Sequence, residues 1–246
     1  MKKTIYLDPD IETLIVSAGG VGTTFLIKAI SAYKKANDPD NLDGYKHLPI
    51  PPISKNESLK VIYIFGDPLV ATVSLFRRKY HRTQSAVMQK FRKEKTLLPL
   101  DLTLEEYVAQ GKDRLFFGPH FNHWVLRFPF YDTLFIHYDV LFDHLEEIRD
   151  FLGLPISFIE NFPPKKDRAS SLDQLDATTL EGLENMYGYL VEQFQQLPSW
   201  FINEAEQTAS ARLFFSQPLY RTAIWEAFLR DKEVLRKGLQ RLGMGG

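Results

Sequence analysis

The stretch Ile15-Val16-Ser17-Ala18-Gly19-Gly20-Val21-Gly22-Thr23-Thr24-Phe25-Leu26 decides how this chain is read. The β-branched and leucine run from Thr13 to Ser17 predicts a buried strand, ended by the glycines. Phe25, Leu26, Ala29, Ile30 and Tyr33 recur at helical spacing, which predicts a helix from Thr23 to about Ala36. A strand, a glycine turn and a helix start aim several backbone N–H groups and the positive end of a helix at one point. That arrangement can hold a phosphate. Glycines at such a turn can equally serve close packing alone. The loop also lacks the Gly-Lys-Ser/Thr of a Walker nucleotide site, because Thr23 follows Gly22 directly.

Outward from the loop, strand and helix signals alternate. Leu59–Phe65 predicts a second strand. Gly66-Asp67-Pro68 ends it, with Asp67 as cap and Pro68 in the first turn of a helix reaching about Tyr80. A basic helix is expected from His81 to Glu94, and shorter helices over Leu104–Gln110 and Phe121–Leu126. Thr133–Tyr138 reads as a third strand, followed by a helix capped by Asp139 and closed by Gly153. Ser171–Gln196 reads as a long helix or a pair. The chain after Leu197-Pro198 reads as helical, ending in an amphipathic helix over about Pro218–Leu242 that is expected to pack on its own domain. The alternation predicts an α/β fold in three αβα layers around a central parallel sheet. We expect one domain over residues 1–246, with a core over about 12–198 and a helical C-terminal extension over 199–246.

The formal net charge of −1 argues against a nucleic-acid polymer as main partner. The chain has no cysteine, which excludes disulfides and thiol catalysis and removes the usual soft ligands of structural zinc. No apolar run makes a signal peptide or approaches the roughly 20 residues of a membrane span. A cytoplasmic protein without a membrane span is therefore expected.

In an open α/β sheet, ligands bind beyond the carboxyl ends of the strands. Gly19–Thr24 follows the first strand, Gly66-Asp67-Pro68 leads to Ser74 after the second, and His137, Tyr138 and Asp139 end the third. Tyr45-Lys46-His47-Leu48-Pro49 lies between the first two strands. Taken together these pieces resemble the sulfotransferase family. Its first loop usually reads Pro-Lys-Ser-Gly-Thr-Thr-Trp, and Gly19-Gly20-Val21-Gly22-Thr23-Thr24-Phe25 occupies that frame. The family's second strand leads into Arg-Asn/Asp-Pro, with a serine eight positions after the arginine. Here Gly66-Asp67-Pro68 and Ser74 stand at the matching spacing. Lys46-His47-Leu48-Pro49 looks like the family's Lys-Thr-His-Leu-Pro element, and Gly118–Trp124 is similar to the helix closing the acceptor side. Thr133–Leu154 resembles the third strand and its helix, with Tyr138-Asp139 in place of Tyr-Glu-Asp. The resemblance spans about residues 12–198.

The resemblance implies a P-loop-like sulfotransferase fold and a sulfuryl donor, 3′-phosphoadenosine 5′-phosphosulfate. The product would be 3′-phosphoadenosine 5′-phosphate, the acceptor a small molecule or glycan bearing a hydroxyl, and no metal is required. Gly19, Gly20, Val21, Gly22, Thr23, Thr24 and Phe25 would hold the 5′-phosphosulfate. Gly66, Ser74 and the basic loop of Lys165, Lys166 and Arg168 would take the 3′-phosphate. His47 is open between general base and structural loop residue; a histidine near its ordinary pKa can take a hydroxyl proton near neutrality. His123 and Phe121 fall on the acceptor side, with His123 read as orienting its helix and Phe121 as core with Phe116, Phe117 and Trp124. His120 is read as surface, His137 as a satisfied strand-end residue, and Arg77-Arg78-Lys79-Tyr80-His81-Arg82 as a solvated helix end.

Two departures stand out. The family's loop lysine is Gly20 here, and its 3′-phosphate arginine is Gly66. A phosphate without its cation loses a contact of about 1.5–3 kcal/mol. A missing clamp on a transferring group slows chemistry on the order of 10²–10³-fold, by analogy with a lost oxyanion donor. Lys46 is the candidate replacement for the loop lysine. The Lys165–Arg168 loop is preferred for the phosphate, ahead of Arg77 and Arg78. A fold retained for binding a nucleotide, another anion or a protein partner, without catalysis, is the rival reading. A P-loop phosphotransferase ranks below both, lacking the Walker lysine and an acidic strand end for magnesium.

Overall fold

The computed structural model describes residues 5–90, 97–126, 131–165 and 170–205. Four strands build one sheet: β1 (Thr13–Ser17), β2 (Lys60–Phe65), β3 (Asp132–His137) and β4 (Trp200–Asn203), in the order β1-β2-β3-β4. The first three are parallel, in a register that pairs Ser17 with Ile64 and Phe65 with His137. Their carboxyl ends therefore meet along one edge of the sheet, and so do the loops that leave them. β1 is buried along its whole length and β2 from Val61 onward, so helices and loops cover both faces, as the near-continuous apolar sequences require.

The helices are α1 (Thr23–Ile30), α2 (Pro68–Arg77), α3 (His81–Met88), α4 (Leu104–Ala109), α5 (Phe117–Leu126), α6 (Leu145–Leu152), α7 (Ser157–Glu160) and α8 (Ala177–Gln195). Asp67 caps α2 as expected, accepting from the Leu69 and Val70 amides, with Pro68 in its first turn. Gly153 closes α6 in the left-handed conformation at φ 63°. The core centres on Tyr63, whose ring meets Phe121, Trp124 and Phe135 at centroid distances of 5.8, 5.8 and 5.4 Å.

β1 has no strand on its outer side among the described residues. Asn37 takes that place: its side-chain oxygen accepts from the Ile15 amide at 2.8 Å and its nitrogen donates to the Ile15 carbonyl at 3.0 Å. The Lys35 carbonyl takes the Glu12 and Thr13 amides, and the Lys46 carbonyl takes that of Ser17. These bonds satisfy an edge that would otherwise be a template for further pairing.

Several expectations need correction. Residues 200–203 form β4, antiparallel to β3, so the sheet is mostly rather than wholly parallel. Trp200, Phe201 and Ile202 suit a strand, and Phe201 stacks on Phe135 at 4.8 Å. The first helix ends at Ile30, not near Ala36, because residues 35–37 are drawn onto the edge of β1. Asp139 does not cap a long helix. Tyr138–Asp143 is a 3₁₀ turn capped by the His137 side chain, and α6 starts only at Leu145. α5 starts at Phe117, since the Asp113 carboxylate gathers the Leu115 and Phe116 amides just before it. α3 ends at Met88, and Ser171–Gln196 divides into a short 3₁₀ turn and α8. The expected C-terminal helix over Pro218–Leu242 lies outside the described residues. Among the described residues, no helix is long and apolar enough to cross a membrane.

Candidate anion site at the strand ends

Gly19, Gly20 and Gly22 all adopt positive φ, at 103°, 78° and 72°. That backbone turns the chain sharply from β1 into α1. The Gly19 amide is taken by Ser17 Oγ. The next five amides, Gly20 through Thr24, find no acceptor among the described residues. Gly22 caps α1 without a side-chain bond. A run of free amides at a helix start concentrates partial positive charge where an anion can collect it.

The loop is held on three sides. Gln84 of α3 donates to the Ala18 carbonyl at 2.6 Å. A side chain at Gly20 would place its Cβ 2.8 Å from the Ala71 Cα and Cβ, on α2. One at Gly22 would fall 2.3 Å from the Tyr138 ring. The loop lysine expected from the resemblance therefore has no room in this backbone.

A pocket of about 180 Å³ opens beside the loop, lined by Gly20, Gly22, Val70, Ser74, Arg77, Arg78, Tyr138 and Ser170. Drug-sized ligands occupy pockets of roughly 300–1,000 Å³, so this one takes a compact group such as a phosphate, and the rest of a larger ligand would lie outside it. Arg77 Nε donates to Ser170 Oγ at 3.0 Å, and Arg78 Nε to the Ser74 carbonyl at 3.1 Å. Partial desolvation, and the neighbouring Arg77, press the Arg78 pKa down.

On the other side of the loop, Lys46 Nζ donates to Thr24 Oγ1 at 2.5 Å and to the Pro39 carbonyl at 2.7 Å. Burial lowers its pKa, and Arg78 adds to the effect. His47 is half-buried, with Nδ1 2.9 Å from the Ser17 carbonyl. A carbonyl can only accept, so Nδ1 carries the proton and Nε2 is the basic nitrogen. Burial lowers the His47 pKa to about 4, with Lys46 and Arg78 adding to the shift, so the ring is neutral at physiological pH. α5 fixes this segment from behind: Trp124 Nε1 donates to the Leu48 carbonyl at 2.8 Å, and His123 Nδ1 meets the Pro49 carbonyl at 3.0 Å.

The glycine loop thus meets Ser74 in the pocket and Lys46 and His47 outside it, while other candidates stand apart or in different roles. Thr23 is buried and its hydroxyl turns back to Ser17 Oγ at 2.5 Å, so only its amide is available. The Thr24 hydroxyl is engaged by Lys46. Phe25 packs on Phe142 and Phe162, and Val21 lies against Gly66. Lys165 Nζ reaches the Asp139 carbonyl and does not line the pocket. Lys166 and Arg168 lie outside the described residues. The arginines that reach the pocket are Arg77 and Arg78, which the sequence reading ranked lower as a solvated helix end. His120 is 2% exposed, not a surface residue; Tyr63 Oη bonds its Nδ1 at 2.8 Å. Phe121 is core and, with Phe117, Phe194 and Gly66, lines a water-sized void of about 20 Å³. Tyr138, singled out beforehand at the end of the third strand, is a pocket wall, whereas Ser170 was missed. Ser170 carries no local signal, whereas Tyr138 stands at a strand end, where ligands gather. Among the described residues, no three His, Asp or Glu side chains gather as metal ligands.

Comparison with family models, with characterised proteins and with solved structures finds no match to this chain.

Proposed function

We propose that this chain is a sulfotransferase-like enzyme of the P-loop-like fold. It would transfer a sulfuryl group from 3′-phosphoadenosine 5′-phosphosulfate to an acceptor hydroxyl. The observation that carries the reading is the run of five acceptor-free amides, Gly20–Thr24, between His47 and the Ser74 pocket. The order and spacing of the family-like motifs support it. In this reading the amides receive the 5′-phosphosulfate and Ser74 faces the 3′ side. Lys46 supplies, from a neighbouring segment, the positive charge that Gly20 cannot. His47 Nε2 takes the acceptor proton as the acceptor oxygen bonds to sulfur. The bond from sulfur to the bridging oxygen breaks, and the bisphosphate leaves with that electron pair. The low His47 pKa keeps the lone pair free at neutral pH but makes the base weak.

The packing of Ala71 against Gly20 favours a second reading, a fold that binds the nucleotide without transferring sulfur. Calorimetric titration with 3′-phosphoadenosine 5′-phosphate separates them. Micromolar binding is expected, with His47→Ala abolishing sulfuryl transfer and leaving binding nearly intact. Binding without turnover under any acceptor establishes the second reading, and no binding overturns both.

A further inference from the structure

Arg77 and Arg78 stand at the end of α2, where cations also serve a helix terminus. That role uses only part of them. Each spends its Nε on the protein, on Ser170 Oγ and on the Ser74 carbonyl, and their η nitrogens find no hydrogen-bond acceptor among the described residues. No carboxylate among the described residues pairs with either. Two like charges are thus held side by side on one pocket wall. Ser170, 7% exposed, steers one guanidinium, and Ser74 lines the same wall.

We propose that Arg77 and Arg78 form a phosphate-selective subsite, in the pocket that Gly20 and Gly22 also line, that takes a phosphate monoester dianion. Two guanidinium forks match two negative charges and the spread of terminal oxygens on a monoester; a diester or sulfate ester offers only one charge. The pocket volume admits a group of that size. Assigning this phosphate to the 3′ position of the nucleotide rests on the proposed function. The pair then replaces, from the next helix, the strand-end arginine that Gly66 does not provide.

The test is calorimetric titration of the wild type, Arg77→Gln and Arg78→Gln with adenosine 3′,5′-bisphosphate and adenosine 5′-monophosphate. The wild type should prefer the bisphosphate by roughly 10–100-fold, the worth of a charge-assisted contact. Each substitution should remove most of that preference while changing monophosphate affinity less than about threefold. Both side chains reach solvent, and unchanged melting temperatures confirm folding. No preference in the wild type, or an equal loss for both nucleotides, overturns the subsite. If the wild type binds neither nucleotide, the proposed function fails and the subsite is judged separately. Inorganic phosphate is then titrated while the arginine Nε–H resonances are followed by NMR. Shifts at Arg77 and Arg78 uphold the subsite, and their absence overturns it.

Discussion

β1 and β2 end along the same edge of the sheet, and each is followed by a glycine where the sulfotransferase resemblance expects a cation. The two glycines are not equivalent. Gly20 sits at φ 78° with α2 backbone against it; a Cβ would meet Ala71 Cα at 2.8 Å and the Ala71 carbonyl at 2.9 Å. Gly66 has no positive φ, and its Cβ would meet only a Val21 methyl at 3.2 Å and the Tyr138 Cβ at 3.4 Å. At β1 the glycine is built into the packing of the loop on α2. At β2 the backbone nearly tolerates a Cβ in place of the glycine hydrogen. Near the two ends other cations stand: Lys46 reaches Thr24, and Arg77 and Arg78 reach the pocket.

The largest expected effect breaks the locked end. Gly20→Ala adds a left-handed penalty of about 1–2 kcal/mol and an overpacking cost of about 1–3 kcal/mol. We expect a loss of roughly 2–5 kcal/mol in urea unfolding, together with loss of anion binding as the loop moves off Ala71. A stability loss below about 1 kcal/mol would show that the loop is not held by this contact.

A smaller effect comes from acid. His47 hangs on the last carbonyl of β1 with a pKa lowered to about 4, and buried His120 is lowered to about 3, in each case chiefly by burial. Both folded values lie below the unfolded value, so the unfolded chain binds more protons between about pH 6.5 and 4. Stability is full above that window and falls as pH drops through it, by about 1 kcal/mol per histidine at about pH 5.5. Urea midpoints at neutral and acidic pH should show this fall, and His47→Gln should remove about half of it. A flat profile would mean that the β1 end stays closed with a protonated ring.

What could be read in advance follows from how local each signal is. β1 appears over Thr13–Ser17 as expected, and β2 within one residue, because β-branched runs ended by glycine need no distant partner. The glycine turn between strand and helix was legible for the same reason, and its glycines permit the positive φ that Gly20 and Gly22 adopt. β4 was not: Trp200–Asn203 becomes a strand by meeting the free edge of β3. The burial of His120 depends on Tyr63, 57 residues away. Arg77 and Arg78 were discounted because a basic helix end has a sufficient local explanation, and only the fold reveals the pocket and Ser170 beside them. The edge role of Asn37 is hidden likewise, since asparagine in a polar turn reads as a helix breaker until its pairing with Ile15 is seen.

The smallest effect sharpens the contrast at the open end. Gly66→Ala introduces a Cβ in ordinary backbone, against a valine methyl that must yield by a few tenths of an ångström. Losing glycine also stiffens the unfolded chain, which favours folding by about 0.4–1 kcal/mol where the conformation is compatible. The two terms oppose each other, so the net change should lie within about 1 kcal/mol of zero, with nucleotide binding retained. A loss as large as that of Gly20→Ala would erase the distinction between the two ends. Both glycines would then be packing requirements. A near-neutral result keeps Gly66 replaceable. Gly66→Arg then becomes a direct probe of whether a strand-end cation adds to the affinity that Arg77 and Arg78 provide.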